Sequence, residues 1–263
     1  FGNVGQGLTK IISDKKQLLI EKFGINLSIV AVCDLYKGSL SNPNGLDPEV
    51  LLSDLEKHGD LKSTSAPING WNATETIDKS GADILVELAF TDLQTGEPAV
   101  SHIKQALNNG MHVSMTNKGP VALHFPELRK IALSNNVQIG IEGTVMSGTP
   151  AINLGSEMLL AAGITKIQGI LNGTTNYILG EMSSGSGYEN ALKQAQELGY
   201  AEADPTGDVE GYDAAAKVVI LGNLLMDSTE LLGDITLIGP GAGRLETGYA
   251  VIEDILSIHK NSL

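Results

Sequence analysis

The chain has 263 residues, a length that accommodates two domains of ordinary size, each with its own core. Hydrophobic residues make up 42%, charged residues 18%, and glycine fills 31 positions, which describes a compact α/β protein and excludes a disordered one. The 31 acidic against 17 basic residues give a formal charge of -14, which argues against a nucleic-acid partner or an anionic membrane and leaves any phosphate to be held by local backbone geometry.

A single cysteine, Cys33, rules out intramolecular disulfides and a zinc site built on several thiolates. No apolar run reaches the roughly 18 residues that span a bilayer, and no signal-peptide pattern opens the chain. The expectation is a soluble protein of the reducing cytoplasm.

In chain order, Phe1-Gly-Asn-Val-Gly-Gln-Gly7 reads as the later part of a G-x-G-x-x-G turn, with Gly2 and Gly5 as two of its glycines. Such a turn brings backbone close to a pyrophosphate that rests on the N-terminus of the next helix. Phe1, Gly2, Asn3, Val4 and Gly5 are therefore candidate cofactor contacts, the alternative being an ordinary glycine-rich turn. Apolar residues at helical spacing from Leu8 to Phe23 predict that helix, and the β-branched run Leu27–Cys33 predicts a buried parallel strand. The run ends in Asp34, the position at which a dinucleotide fold hydrogen-bonds the adenine ribose. Asp34 repels a 2′-phosphate and favours NAD, whereas Lys37 nearby offsets that repulsion, so NAD and NADP both stay open.

Residues 39 to 46 read as a Pro/Gly/Asn-rich loop, followed by a helix over Pro48–His58 and a polar stretch through Trp71. A strand over 83 to 89 runs into the loop that carries Thr91, either a cofactor contact at the carboxyl end of a parallel strand or a turn-capping threonine. A helix over Val100–Asn109 and a strand over Met111–Met115 deliver Thr116-Asn-Lys-Gly-Pro120, which places Lys118 in a loop. His102, His112 and His124 share no metal-ligand spacing and read as structural.

A helix over Leu123–Ser134 and a strand over Val137–Ile141 lead to Glu142-Gly-Thr-Val-Met-Ser-Gly-Thr-Pro150. This small-residue turn either points carbonyls around a hard cation beside Glu142 or is a hinge that binds nothing. Next come a helix over Ala151–Ala162, a strand over Ile167–Leu171, the segment Asn172-Gly-Thr-Thr-Asn-Tyr177 and a helix over Tyr188–Leu198.

The stretch from Gly199 to Lys217 begins as a turn with four acids, Glu202, Asp204, Asp208 and Glu210, and becomes a helix with Asp213 and Lys217 four residues apart. Residues so spaced share one helical face, where a carboxylate and an amine can hold a small zwitterion and exchange a proton with it. A solvated surface ion pair is the alternative. Finally, Gly239, Gly241 and Gly243 fall within five residues before the last helix, which implies a close backbone approach to a ligand or a neighbouring strand. Gly241 is the candidate cofactor contact there.

The Gly-Asn-Val-Gly turn, Thr95-Gly-Glu-Pro98, the segments 116–120, 142–150, 172–177 and 199–217, and Gly239-Pro-Gly-Ala-Gly243 together resemble homoserine dehydrogenase, in that order. The resemblance implies an α/β fold: a Rossmann-type dinucleotide-binding domain, residues 1–145 and 239–263, and an α+β catalytic and dimerisation domain, residues 146–238. It implies reversible reduction of L-aspartate 4-semialdehyde to L-homoserine by NAD or NADP chemistry, on the route to threonine, methionine and isoleucine, in a homodimer or higher homo-oligomer. Lys217 is then the proton donor and Lys118 a second active-site lysine beside nicotinamide and substrate. Glu202 and Asp213 hold the substrate amine, Tyr200, Gly173 and Thr174 line the pocket, and Gly199 lies near the cofactor. The carbonyls of Val145, Ser147 and Thr149, with Glu142, form a site for sodium or potassium.

Family members also carry a glycine and a strand ahead of the counterpart of Phe1, and a long segment between the counterparts of Leu225-Met-Asp227 and Leu231-Leu-Gly233. The expectation is that the chain as given is trimmed at its start. At 227 to 231 it is either missing that segment or unusually abbreviated. Two other readings stand beside this one: a dehydrogenase of another small amino or hydroxy acid, and a dinucleotide-binding module without turnover.

Overall fold

A computed structural model describes residues 1–159, 163–226, 237, 239 and 241–262. The junction at 227 to 231 and the end of the helix expected over Ala151–Ala162 lie outside the described residues. Helix α1 runs from Asn3–Phe23 with Gly2 as its N-cap, and it stops at Gly24, whose left-handed φ of 70° lets its amide reach back to the Ile20 and Leu19 carbonyls. Leu8, Ile11, Ile12 and Leu19 form its buried stripe.

Strand β1 spans Ile29–Asp34 and pairs antiparallel with β2, Gly38–Leu46, which pairs with the short β3, Ile68–Asn69. Two expectations are corrected here. The run ending in Asp34 is a half-buried member of an antiparallel ladder, not a buried parallel strand, and residues 39 to 46 form a strand instead of a loop. The turn signals in that strand are real but local. The register shifts between Ile29 and Ala31, and the Asn42-Pro-Asn-Gly45 stretch is taken up as a bulge. In it Asn42 Nδ2 donates to the Gly45 carbonyl at 2.6 Å.

Helix α2, Pro48–His58, is capped by Asp47, whose carboxylate accepts from the Glu49 and Val50 amides. Helix α3, Ala73–Lys79, follows the polar stretch in a segment for which the sequence predicts no element; Asn72 and Glu75 close a reciprocal capping box at its start. Strands β4 (Ile84–Glu87), β5 (His112–Met115) and β6 (Ile139–Gly140) form a parallel sheet in the order β4-β5-β6. Helices α4 (Ala99–Asn108) and α5 (Lys118–Ser134) are its crossovers. Lys118 is thus the first residue of α5, with Asn117 as N-cap, and not a loop residue.

After β6 come a single 3₁₀ turn over Glu142–Thr144, a short α6 over Ala151–Asn153 and a π-helical turn over Leu154–Met158. Helices α7 (Gly173–Ser183), α8 (Tyr188–Glu197), α9 (Thr206–Val209) and α10 (Tyr212–Leu225) follow, the last two carrying part of the acid-rich stretch. The expected strand over Ile167–Leu171 does not form: the segment is irregular and has no partner strand among the described residues. A β-branched run needs a neighbouring ladder before its propensity counts.

The last helix, α11 (Arg244–Asn261), returns to lie along α1, burying Val251, Ile252 and Ile255 against Leu8, Ile11 and Ile12. Side chains from both sheets, Ile29, Ile84 and Val86, join that cluster. No helix among the described residues is long and apolar enough to cross a membrane.

Candidate active site

The first turn and the end of β1 meet. The Phe1 nitrogen contacts Asp34 Oδ2, the Asp34 Oδ1 accepts the amides of Tyr36 and Lys37 at 2.9 Å each, and Lys37 Nζ donates to the Phe1 carbonyl at 2.8 Å. Helix α1 begins without a side-chain cap and without an acid in its first turn, and a Cβ on Gly2 would meet nothing within 4 Å. First-turn amides with no side-chain cap among the described residues, beside open space at Gly2, suit an anionic pyrophosphate, so these residues fit a dinucleotide. On the other flank Gly7 lies so near the start of α11 that a Cβ would sit 2.3 Å from the Arg244 carbonyl, while a Cβ on Gly241 would meet nothing within 4 Å.

A second cluster spans the two halves of the chain. Helix α10 buries Ala216, Lys217, Ile220 and Leu221 on one stripe, so the lysine occupies a core-facing position and is 8% exposed. Its ammonium donates to the Leu171 carbonyl at 2.6 Å and pairs with Asp213 Oδ2 at 2.6 Å. Lys118, at the N-terminus of α5, reaches Asp213 Oδ1 at 3.3 Å. Asn172 caps α7 by accepting the Thr175 amide on Oδ1 and donates from Nδ2 to Asp208 Oδ1 at 2.7 Å and Asp213 Oδ2 at 3.0 Å. Burial works against ionisation of Asp213, but the charges of Lys118 and Lys217 outweigh it and hold the carboxyl below its usual range.

The acid-rich turn is fastened from α7. Thr174 Oγ1 donates to the Tyr200 carbonyl at 2.6 Å, and the Tyr177 and Tyr200 rings stand 5.0 Å apart. Glu202 is exposed, and no hydrogen bond or ion pair joins its carboxylate to the cluster. Gly199 ends α8 at a left-handed φ of 77° with open space about it. Thr91 is half-buried, and no side-chain hydrogen bond reaches it among the described residues. Gly173 opens α7 one residue after Asn172.

Glu142, Val145, Ser147 and Thr149 are all buried, and Ser147 adopts a left-handed φ of 53°. Glu142 accepts the amides of Ile152 at 3.0 Å and Asn153 at 2.6 Å, fixing the start of α6. Burial raises its pKa against the pull of those amides. The carbonyls of Val145 and Ser147 accept no backbone hydrogen bond among the described residues, while that of Thr149 accepts the Ala151 amide at 2.8 Å.

Two members of the lysine cluster went unassigned in the sequence. Asp208 had no role separate from its acidic neighbours, and Asn172 was part of a motif without a function of its own. Asn172 did carry a signal, an Asn before a helical stretch, but the helix after it was not foreseen.

The comparisons agree with this geometry. The family model described as "Homoserine dehydrogenase, NAD binding domain" matches residues 1–142, and that described as "Homoserine dehydrogenase" matches residues 150–229. The NAD(+)-dependent homoserine dehydrogenase of Pseudomonas canavaninivorans is 37% identical over 338 aligned positions, covering 100% of this chain and 95% of the relative. That alignment is longer than the 263-residue chain, so the relative holds residues with no counterpart here. Among solved structures, a putative homoserine dehydrogenase from Archaeoglobus fulgidus superposes with a TM-score of 0.86 at 29% identity, covering 98% of this chain and 97% of that one. A hyperthermophilic archaeal homoserine dehydrogenase in complex with NADPH gives 0.87 at 26% identity, covering 99% and 96%. With matches of this extent, on a fold that brings Lys118 and the buried Lys217 to one carboxylate, the chain belongs to the homoserine dehydrogenase family.

Proposed function

We propose that this chain reduces L-aspartate 4-semialdehyde to L-homoserine, reversibly, with Lys217 as the acid and base. The observation that carries the reading is the Lys118–Asp213–Lys217 cluster, with Lys217 buried and its two partners half-buried, at the meeting of the two halves. Bound NAD(P)H supplies a hydride to the aldehyde carbon. As negative charge grows on the carbonyl oxygen, Lys217 stabilises it and transfers a proton from Nζ. Two of the three donors on that ammonium are spent on Leu171 and Asp213, which fixes its position and leaves one for the substrate. In the reverse direction neutral Lys217 takes the hydroxyl proton.

Asp213 acts first as the clamp between the two lysines. Its remaining acceptor position, with the carboxylate of Glu202, serves the substrate amine, and Asp208 adds negative charge to the same turn through Asn172. Tyr200, Gly173 and Thr174 line the pocket. Phe1 to Gly5, Asp34, Thr91, Lys118, Gly199 and Gly241 face the dinucleotide. Lys37 is drawn onto the Phe1 carbonyl while Asp34 keeps its charge at the strand end, which supports NAD over NADP. The split between residues 1–145 with 239–263 and residues 146–238 is supported by the two family matches and by α11 lying along α1.

A sodium or potassium ion beside Glu142 belongs to the same reading, supported by the Val145 and Ser147 carbonyls, which accept no backbone hydrogen bond among the described residues, and by the left-handed turn at Ser147. A homodimer or larger homo-oligomer is supported by the exposed apolar side chains Leu179, Tyr212 and Val218, and light scattering checks it. A cytoplasmic location completes the proposal.

The test of the chemistry is NAD(P)H oxidation with aspartate semialdehyde. Lys217→Ala is expected to lower kcat by about 10²–10⁴-fold with dinucleotide binding retained. Turnover undiminished in that variant would remove Lys217 from the mechanism, and an inactive wild type that still binds dinucleotide would favour a module without turnover.

A further inference from the structure

One buried acid at the ligand-facing end of the parallel sheet has no part in the chemistry above. Glu87 closes β4 opposite Met115 of β5, and its side chain is 4% exposed. A carboxylate is seldom buried unless both oxygens are satisfied. Here Oε1 accepts the Ala89 amide at 2.8 Å and Oε2 meets His102 Nδ1, on α4, at 3.0 Å. The hydrogen bond with Glu87 raises the His102 pKa against the effect of burial, as a genuine pairing would.

What the pair holds is the loop that follows β4. The Ala89 amide is taken by Glu87, and the Ala89 and Phe90 carbonyls accept from Asn117 Nδ2 at 3.3 and 3.1 Å. The loop is therefore gripped on its donor side by Glu87 and on its acceptor side by the residue that caps α5. Its first residue, Leu88, touches the cofactor turn: a Cβ on Gly5 would lie 3.6 Å from Leu88 Cδ1. Lys118 is anchored separately, by Asp213.

From this placement we infer that Glu87, held by His102, is a positioning residue for dinucleotide binding: it sets the loop Leu88–Thr91 as one wall of the cofactor crevice. The inference rests on the dinucleotide reading above. It separates two quantities, because displacing the loop alters the cofactor wall while the lysine cluster stays in place.

The experiment titrates NADH against wild type, Glu87→Ala and Glu87→Gln by fluorescence, alongside steady-state kinetics with aspartate semialdehyde. Glu87→Ala is expected to weaken NADH binding about tenfold, the size of one lost buried hydrogen bond. kcat and the KM for aspartate semialdehyde should change less than threefold. Glu87→Gln should recover most of the binding, since its amide oxygen accepts from Ala89 and its NH₂ donates to a neutral His102. If Glu87→Ala does not fold, His102→Ala, altered on a half-buried helix position, is measured in its place with the same expectation.

Unchanged NADH affinity in a folded variant would overturn the inference, as would a parallel fall in kcat that glutamine does not restore. A wild type that binds neither NADH nor NADPH would instead overturn the dinucleotide reading, and this inference with it.

Discussion

Leu107 on α4 and Leu179 on α7 are the same side chain on helices of similar length, yet the first is 0% exposed and the second 61%. Helix α4 packs on α5 and on the parallel sheet, and its apolar stripe joins the largest cluster of the molecule with Val113, Met115 and Leu128. Helices α7 and α8 pack on one another around a small core of Ile178, Ala191, Ala195 and Ala201. The nucleotide half is thus ordered by its own interior. The later half joins that main cluster through Ile152 of α6 and through Ile220 and Leu221 on the buried stripe of α10, and it is tied further by the polar network about Asp213.

That contrast can be broken in graded steps. Leu107→Ala should cost about 3–5 kcal/mol of stability, read by chemical denaturation, because it opens a cavity in a closed core. Asp213→Ala should come next, at about 2–3 kcal/mol with a large loss of kcat, since it leaves Lys118 and Lys217 facing each other without their shared counter-charge. A thermal midpoint equal to wild type in that variant would show that the network does not hold the halves together.

Asp254 on α11 gives a pH-dependent contrast. It is 3% exposed, accepts from Ser114 Oγ at 2.8 Å, and burial pushes its pKa up to about 7. A carboxyl that holds its proton more tightly when folded adds stability below the ordinary aspartate range and loses it as the pH rises toward 7. Asp254→Asn should therefore gain on wild type between pH 5 and 8 by on the order of 2 kcal/mol, measured as the difference in melting temperature at each pH. A difference that does not vary with pH would mean that Asp254 does not titrate there. The smallest effect belongs to the substrate half's surface: Leu179→Ala should change monomer stability by less than about 0.5 kcal/mol.

Much of the nucleotide half was legible from local pattern. Pro48–His58 was expected and found with the same bounds, because Asp47 and Pro48 announce its start and Gly59 its end. The strands at 84–87 and 112–115 and the helix between them follow from short apolar runs and helical periodicity. The Asn42-Pro-Asn-Gly45 stretch misled because a bulge can absorb a turn sequence inside a ladder, and ladder pairing is not a local property. Helix α3 lies just past the polar stretch that ends at Trp71, and it is a short helix that its capping box stabilises at one end.

Of the site, sequence spacing was enough to set Asp213 beside Lys217, since four residues on a helix are one turn apart. The family pattern supplied Lys118, Glu202 and the cation loop as positions without geometry. Only tertiary structure decided that Lys118, 95 residues upstream of Asp213, closes on the same carboxylate, that Asn172 ties Asp208 to it, and that Glu202 faces solvent. Likewise Glu87 and His102 became a pair only when β4 and α4 were packed. The reason is physical: helical spacing follows from backbone geometry alone, whereas contacts between distant elements depend on how apolar faces dock, and that is settled by the whole core at once.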